Sequence, residues 1–227
     1  CVSVRLASGP DVPRSGRREC GPGVMEMGGG AASIAGCAEG QCVRTARVGV
    51  GAGHVTRDIA RGLGTATDNA ERLKTMHGHA DLSADDDGVS IRIERQDVPS
   101  FETVPRAVLG SIIRPRIEET FELVRDRLDN AGLGHLAEGR VILSGGGSLL
   151  DGVGSVAARI LNRHVRLGRP HQITGLPEAC ATASFATTIG LLTWAASAER
   201  PFGDIEFTEE RPTGFLNRIV SFIRDRV

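Results

Sequence analysis

Two stretches of this chain, Met27-Gly28-Gly29-Gly30 and Ser144-Gly145-Gly146-Gly147, set three consecutive glycines directly after an apolar run. Such a triplet cannot continue a strand or helix without loss, so each reads as a tight turn that uses positive φ. "GVMEM" before the first triplet reads as a short strand, and "GRVILSGGGSLLDGVGSVAARILNRHV" reads as strand, glycine turn and helix. The architecture is therefore α/β. Glycine turns after strands also let backbone N–H groups approach an anion, and a helix opening after the second would add a favourable partial charge. Neither triplet is followed by G-K-[ST] or fits G-x-G-x-x-G, so neither is a P-loop or a dinucleotide fingerprint.

The remaining elements follow from periodicity. "AASIAGCA" and "QCVRTARVGV" continue from the first glycine turn as an antiparallel meander, with "EG" as the second turn. "HVTRDIARGLG" sets Val55, Ile59 and Leu63 at helical spacing, and "TDNAERLKTMHG" predicts a second helix with Thr67 or Asp68 as N-cap and Gly78 as stop. "ADLSADDDG" is an acidic loop, and "VSIRIER" alternates Val89, Ile91 and Ile93 as a half-exposed strand. A long helix is expected from near Pro105 to Gly132, carried by Leu109, Ile113, Ile117, Phe121, Val124 and Leu128, with Pro115 kinking or splitting it. "VRLGRP" reads as a further strand. "ASFATTIGLLTWAASA" reads as a helix too apolar to be a solvated surface.

Composition narrows the function classes. The 227 residues are 40% hydrophobic, and 27 Lys and Arg nearly balance 28 Asp and Glu, which with 4% aromatics gives no footprint for nucleic acid. Five cysteines (Cys1, Cys20, Cys37, Cys42, Cys180) show no C-x-x-C spacing, so a reducing cytosol is expected and no metal site is assigned. No catalytic residue is assigned either, the six histidines being scattered. No run of about 18 apolar residues offers a membrane span, and the first residues lack the apolar core of a signal peptide. Residues 1–22, rich in Arg, Gly, Pro and Ser, show no periodicity and read as a disordered, ragged edge on a fragment of something longer.

The segments "MGGGAASIA", "GAGHVTRDIARGL", "AERLKTMHG", "VILSGGGSLLDGV" and "ITGLPEACATASFATTIGLL", in this order, resemble the C-terminal half of the FtsA family of actin-like bacterial cell-division proteins, from about Gly23 to Val227. The resemblance implies an actin-like (ribonuclease H-like) ATPase fold, mainly its second lobe, over residues 23–198 with an insert subdomain at about 74–116. It implies ATP and Mg2+ as ligands of a longer parent, with at most weak ATPase activity. Carried over by motif, Glu26, Gly28, Gly29 and Gly30 would form the second phosphate hairpin, Glu71 and Lys74 would reach the ribose and adenine, and Gly145, Gly146 and Gly147 would floor the adenosine pocket. It further implies anchoring of the FtsZ filament, the insert subdomain supplying the partner surface. Three departures stand out: Glu26 replaces the family's usual Asp, Ala31 and Ala32 replace threonines, and the first phosphate motif does not precede Gly23. The chain alone is therefore expected to bind ATP weakly or not at all, and to expose an apolar patch around Ile189–Ala195 that promotes self-association. The alternatives are a fragment of an actin-fold ATPase or sugar kinase, or a degenerate nonfunctional copy.

The chain closes on "GFLNRIVSFIRDRV" after a polar, acidic linker at 199–213. Wound as a helix over 214–227, it sets Phe215, Leu216, Ile219, Val220, Phe222 and Ile223 on one arc of roughly 160°, flanked by Arg218 and faced by Arg224. Three arginines less one aspartate give it +2 in a chain of net −1. Apolar face and positive charge together suit an anionic membrane surface, and the resemblance implies that this surface is the cytoplasmic face of the bacterial inner membrane. The same tail is similar to the membrane-targeting helix that ends FtsA-like proteins.

Overall fold

The computed structural model describes residues 23–38, 41–81, 88–96, 101–130, 140–170 and 174–196, without the side chains of 37, 38, 41–44 and 194. The expectations for residues 1–22, the linker at 199–213 and the helix at 214–227 lie outside them. Five strands form one mixed sheet in the order β3-β2-β1-β6-β7. Strands β1 (Gly23–Met27), β2 (Ala32–Ala38) and β3 (Gln41–Val48) are the antiparallel meander expected from the sequence. β6 (Arg140–Ser144) then lies parallel to β1, and β7 (His164–Leu167) parallel to β6.

Between β3 and β6 the chain makes α1 (Ala52–Leu63), α2 (Thr67–His77), the antiparallel pair β4 (Ser90–Glu94) and β5 (Phe101–Pro105), and α3 (Arg106–Asn130). After β6 come α4 (Val153–Leu161) and α5 (Ala186–Ala196). The side-chain alternation of a strand sends Met25, Met27 and Leu143 to one face of the sheet and Val24 and Ile142 to the other. On the first face they meet Val55 and Ile59 of α1, Ile113, Ile117 and Phe121 of α3, and Val153 and Val156 of α4 in one continuous core.

Several local expectations need correction. The N-cap of α2 is Ala66, not Thr67 or Asp68; Asp68 instead sits in the first turn, where its charge faces the positive end of the helix. Val89 stands before β4 and is 44% exposed, so only Ile91 and Ile93 carry the buried alternation. Of the two outcomes expected at Pro115, a kink or a split, the split does not occur, because α3 runs unbroken through it. Proline in a helix interior costs about 3 kcal/mol, and the wholly buried Leu109, Ile113, Ile117 and Phe121 on either side of it outweigh that loss. Strand β5 was not expected, because its residues are mostly exposed and show no apolar alternation.

Candidate functional site

β1 and β6 run parallel with Glu26 opposite Ser144, so both glycine triplets leave the sheet at the same, carboxyl end. Open α/β sheets offer their ligand crevice at this end. The first triplet folds back through a Gly28 N–H bond to the Ala31 carbonyl at 3.0 Å. Its carbonyls turn toward α1: the Gly28 oxygen accepts from Ala52 N at 2.9 Å and the Gly29 oxygen from Gly53 N at 2.7 Å. In a trans peptide N–H and C=O point in opposite directions, so the N–H groups of Gly29 and Gly30 are aimed away from α1. Both glycines are exposed and a Cβ built on either meets nothing within 4 Å, so an anion can reach this turn. Gly51 permits the approach of hairpin and helix, since a Cβ there would lie 2.4 Å from the Gly28 oxygen. The Gly51 N–H in turn donates to His54 Nδ1 at 3.2 Å.

The second triplet is built differently from its expected form. A short 3-10 turn (Gly146–Leu149) starts within it, with Gly145 as its cap, and α4 begins only at Val153 behind Gly152, so no α-helix N-terminus points from these glycines. Gly145 takes φ 86 and ψ 163, its N–H donates to the Ala183 carbonyl at 3.0 Å, and its carbonyl accepts from Ser148 Oγ at 2.7 Å. A Cβ on Gly147 would lie 2.7 Å from Met27 Cγ and 3.0 Å from Ala52 Cβ, whereas one on Gly146 would meet nothing within 4 Å. The two turns are thus neighbours, packed through Met27 and Ala52.

Ala52 also joins the third group. Its carbonyl accepts from Lys74 Nζ at 3.3 Å, and the same ammonium donates to Thr56 Oγ at 2.8 Å and to Glu71 Oε2 at 2.7 Å. The Thr56 hydroxyl donates to Glu71 Oε2. Burial works against the Glu71 charge, but the Lys74 and Thr56 hydrogen bonds and the Lys74 charge prevail and hold this carboxyl below its usual value. Glu26, at the end of β1, accepts from Thr187 Oγ of α5 at 2.9 Å. Among the described residues no three His, Cys, Asp or Glu side chains gather as a metal site.

The structure therefore gathers Gly28, Gly29 and Gly30 with Gly145, Gly146 and Gly147 and with the Glu71–Lys74 pair, while Glu26 closes the same strand end. Sequence reasoning missed Thr56, Thr187 and Ala52. Thr56 lies 15 residues from Glu71 and Thr187 lies 161 from Glu26, so no local pattern marks them. Ala31 and Ala32 bring no hydroxyl, and Ala32 is wholly buried. A second carboxylate, Glu118 on α3, bridges Arg159 and Arg114, which hold it below its usual value against the effect of burial.

These two carboxylates set a pH dependence. A carboxyl held below its ordinary value of 4.5 contributes its full stabilisation above that value and loses it as pH falls from there through the lowered folded-state value. Urea midpoints should accordingly decline below about pH 4.5, and Glu71→Gln should make that decline shallower. An identical decline in wild type and variant would remove Glu71 from the acid-sensitive set.

Comparison with known proteins bears on what this site belongs to. The family model described as "Cell division protein FtsA" matches residues 24–190. The cell division protein FtsA of Rhizobium meliloti (strain 1021) is 40% identical over 203 residues, covering 87% of this chain and 46% of that protein. That of Escherichia coli (strain K12) is 29% identical over 234 residues, covering 98% and 55%. The chain thus spans about half the length of the curated relatives it matches. Among solved structures, MreB 5 of Spiroplasma citri bound to AMPPNP superposes with a TM-score of 0.65 at 15% identity, over 100% of this chain and 60% of that one. The PilM–PilN type IV pilus biogenesis complex gives 0.57 at 18% identity, over 85% and 48%. The fold is that of the actin-like ATPases, and the chain belongs to the FtsA family of cell division proteins.

Proposed function

We propose that this chain is the nucleotide-contacting and membrane-tethering half of an FtsA-type protein that holds the FtsZ filament at the cytoplasmic face of the inner membrane. The observation that carries the nucleotide part is the convergence of both glycine turns and the Thr56–Glu71–Lys74 network on the carboxyl end of β1 and β6. The outward N–H groups of Gly29 and Gly30 suit phosphate oxygens, and the open side of Gly146 leaves room for a nucleoside. Mg2+ binds through phosphates with only one or two carboxylates, and Glu26, once released by Thr187, fits that role. ATP supplies charge and shape that bring two lobes together, as a conformational or polymerisation ligand. Family membership supports this reading over a sugar kinase.

The tethering part rests on the sequence of residues 214–227, where apolar and arginine-bearing faces alternate at helical spacing. The fourteen residues 214–227 are fewer than the roughly 20 a membrane-spanning helix needs, so attachment through them would be peripheral. Co-sedimentation with vesicles of increasing anionic lipid content tests it. The full chain should bind increasingly with anionic lipid, while a chain ending at Arg211 should not, and Phe222→Asp should weaken binding by roughly tenfold or more, the loss of one buried aromatic. Equal binding by the full and shortened chains would refute tethering by the tail.

A further inference from the structure

Thr56, on the second turn of α1, is only 4% exposed, and its hydroxyl is where a cation and an anion meet. A hydroxyl has one proton to give, and the Glu71 carboxylate is a stronger and closer acceptor than the Ala52 carbonyl at 3.3 Å. Lys74 has three protons and three acceptors within 3.3 Å, in Glu71, Thr56 and Ala52. Its ammonium is fully engaged inside the protein. Both donors, Thr56 and Lys74, converge on one oxygen of Glu71, Oε2. The other, Oε1, makes no hydrogen bond among the described residues, and the side chain is 54% exposed. The residue whose carbonyl binds Lys74 is also the one whose N–H holds the first glycine turn, so network and turn share Ala52.

We infer that Thr56 is a positioning residue for Glu71: it pins Oε2 inward so that Oε1 is presented to the vicinal hydroxyls of a ribonucleotide, with Lys74 acting as an internal clamp and not as a ligand. This deepens the nucleotide reading above and rests on it. A carboxylate oxygen without a partner accepts two hydroxyl donors well, and a ligand lacking them leaves it unsatisfied. Without the Thr56 hydroxyl, Glu71 keeps its charge but loses one of the two bonds that fix its rotamer. The lysine alone, on a flexible stem, fixes it poorly.

The test uses the full chain, with Thr56→Val, which has nearly the same shape and no hydroxyl, and Thr56→Ser, which restores one. Saturation-transfer NMR with millimolar Mg2+-ATP and Mg2+-2′,3′-dideoxy-ATP reads weak complexes, and carboxyl 13C shifts against pH read Glu71 itself. Wild type and Thr56→Ser should favour ATP over the dideoxy nucleotide by roughly tenfold, the worth of a charge-assisted hydrogen bond. In Thr56→Val the preference should vanish, while the Glu71 midpoint moves up toward its ordinary value. A preference that survives in Thr56→Val overturns the role of Thr56. Transfer to both nucleotides without preference in wild type overturns the ribose role of Glu71 but leaves the nucleotide reading standing. Absence of transfer from either nucleotide overturns both.

Discussion

Gly145→Ala should lower the unfolding free energy by roughly 3 kcal/mol or more, from backbone strain and a steric clash acting together. The φ of 86 and ψ of 163 lie in a region that only glycine occupies without strain. The added methyl would also stand 2.5 Å from the Met27 oxygen and 2.8 Å from its carbonyl carbon. Met27 has nowhere to go, because it is wholly buried, paired with Ala32 across the meander and packed beneath the Gly147 backbone. Gly146→Ala is the internal contrast. Its φ is not positive and its Cβ meets nothing within 4 Å, so it should change stability by no more than about 0.5 kcal/mol. Urea denaturation of the two variants beside wild type decides: a Gly145→Ala loss no larger than that of Gly146→Ala would refute the close-packing account. The pair also separates two reasons for having glycine. Gly145 is there for the fold, whereas Gly146 has open space beside it, the space proposed above for a nucleoside.

That separation marks where sequence reading stops. A triple glycine after an apolar run announces a turn, and β1, β6 and both turns lie where the pattern puts them. The pattern does not reveal that the second turn passes into a 3-10 turn, because Ser148 bonds back to the Gly145 carbonyl before an α-helix can start. Periodicity finds α1 and the core side of α3, since their buried residues recur every three or four positions. It overlooks β5, whose exposed strand has no buried face to advertise. The Glu71–Lys74 pair is visible as E-x-x-K on one helix face, but its third member, Thr56, comes from another helix and is brought in by packing alone. Glu26 was legible as an acid before the turn. That its carboxylate is held by Thr187 depends on the docking of α5 beside β1.

α5 also supplies the second large expected effect. Ala186, Ile189 and Gly190 face the body of the fold, while Leu191 and Leu192 are 45% and 62% exposed and Phe185, just before the helix, is 41% exposed. Leu191→Glu combined with Leu192→Lys keeps the net charge and uses residues that favour a helix as well as leucine does. Burying the exposed parts of two leucines in a contact between chains is worth roughly 2 kcal/mol per chain, so removing them should weaken self-association by more than tenfold. Light scattering on a size-exclusion column across a concentration series should show wild type gaining mass with concentration and the double variant remaining monomeric. The urea midpoint should hardly move, because these side chains bury little in the fold itself. A wild type that is monomeric throughout, or a variant that associates as strongly, would mean that this face does not drive contact between chains. A large fall in urea midpoint would mean instead that the leucines are held against the body and that α5 is anchored through more than Ile189 and the Thr187–Glu26 bond.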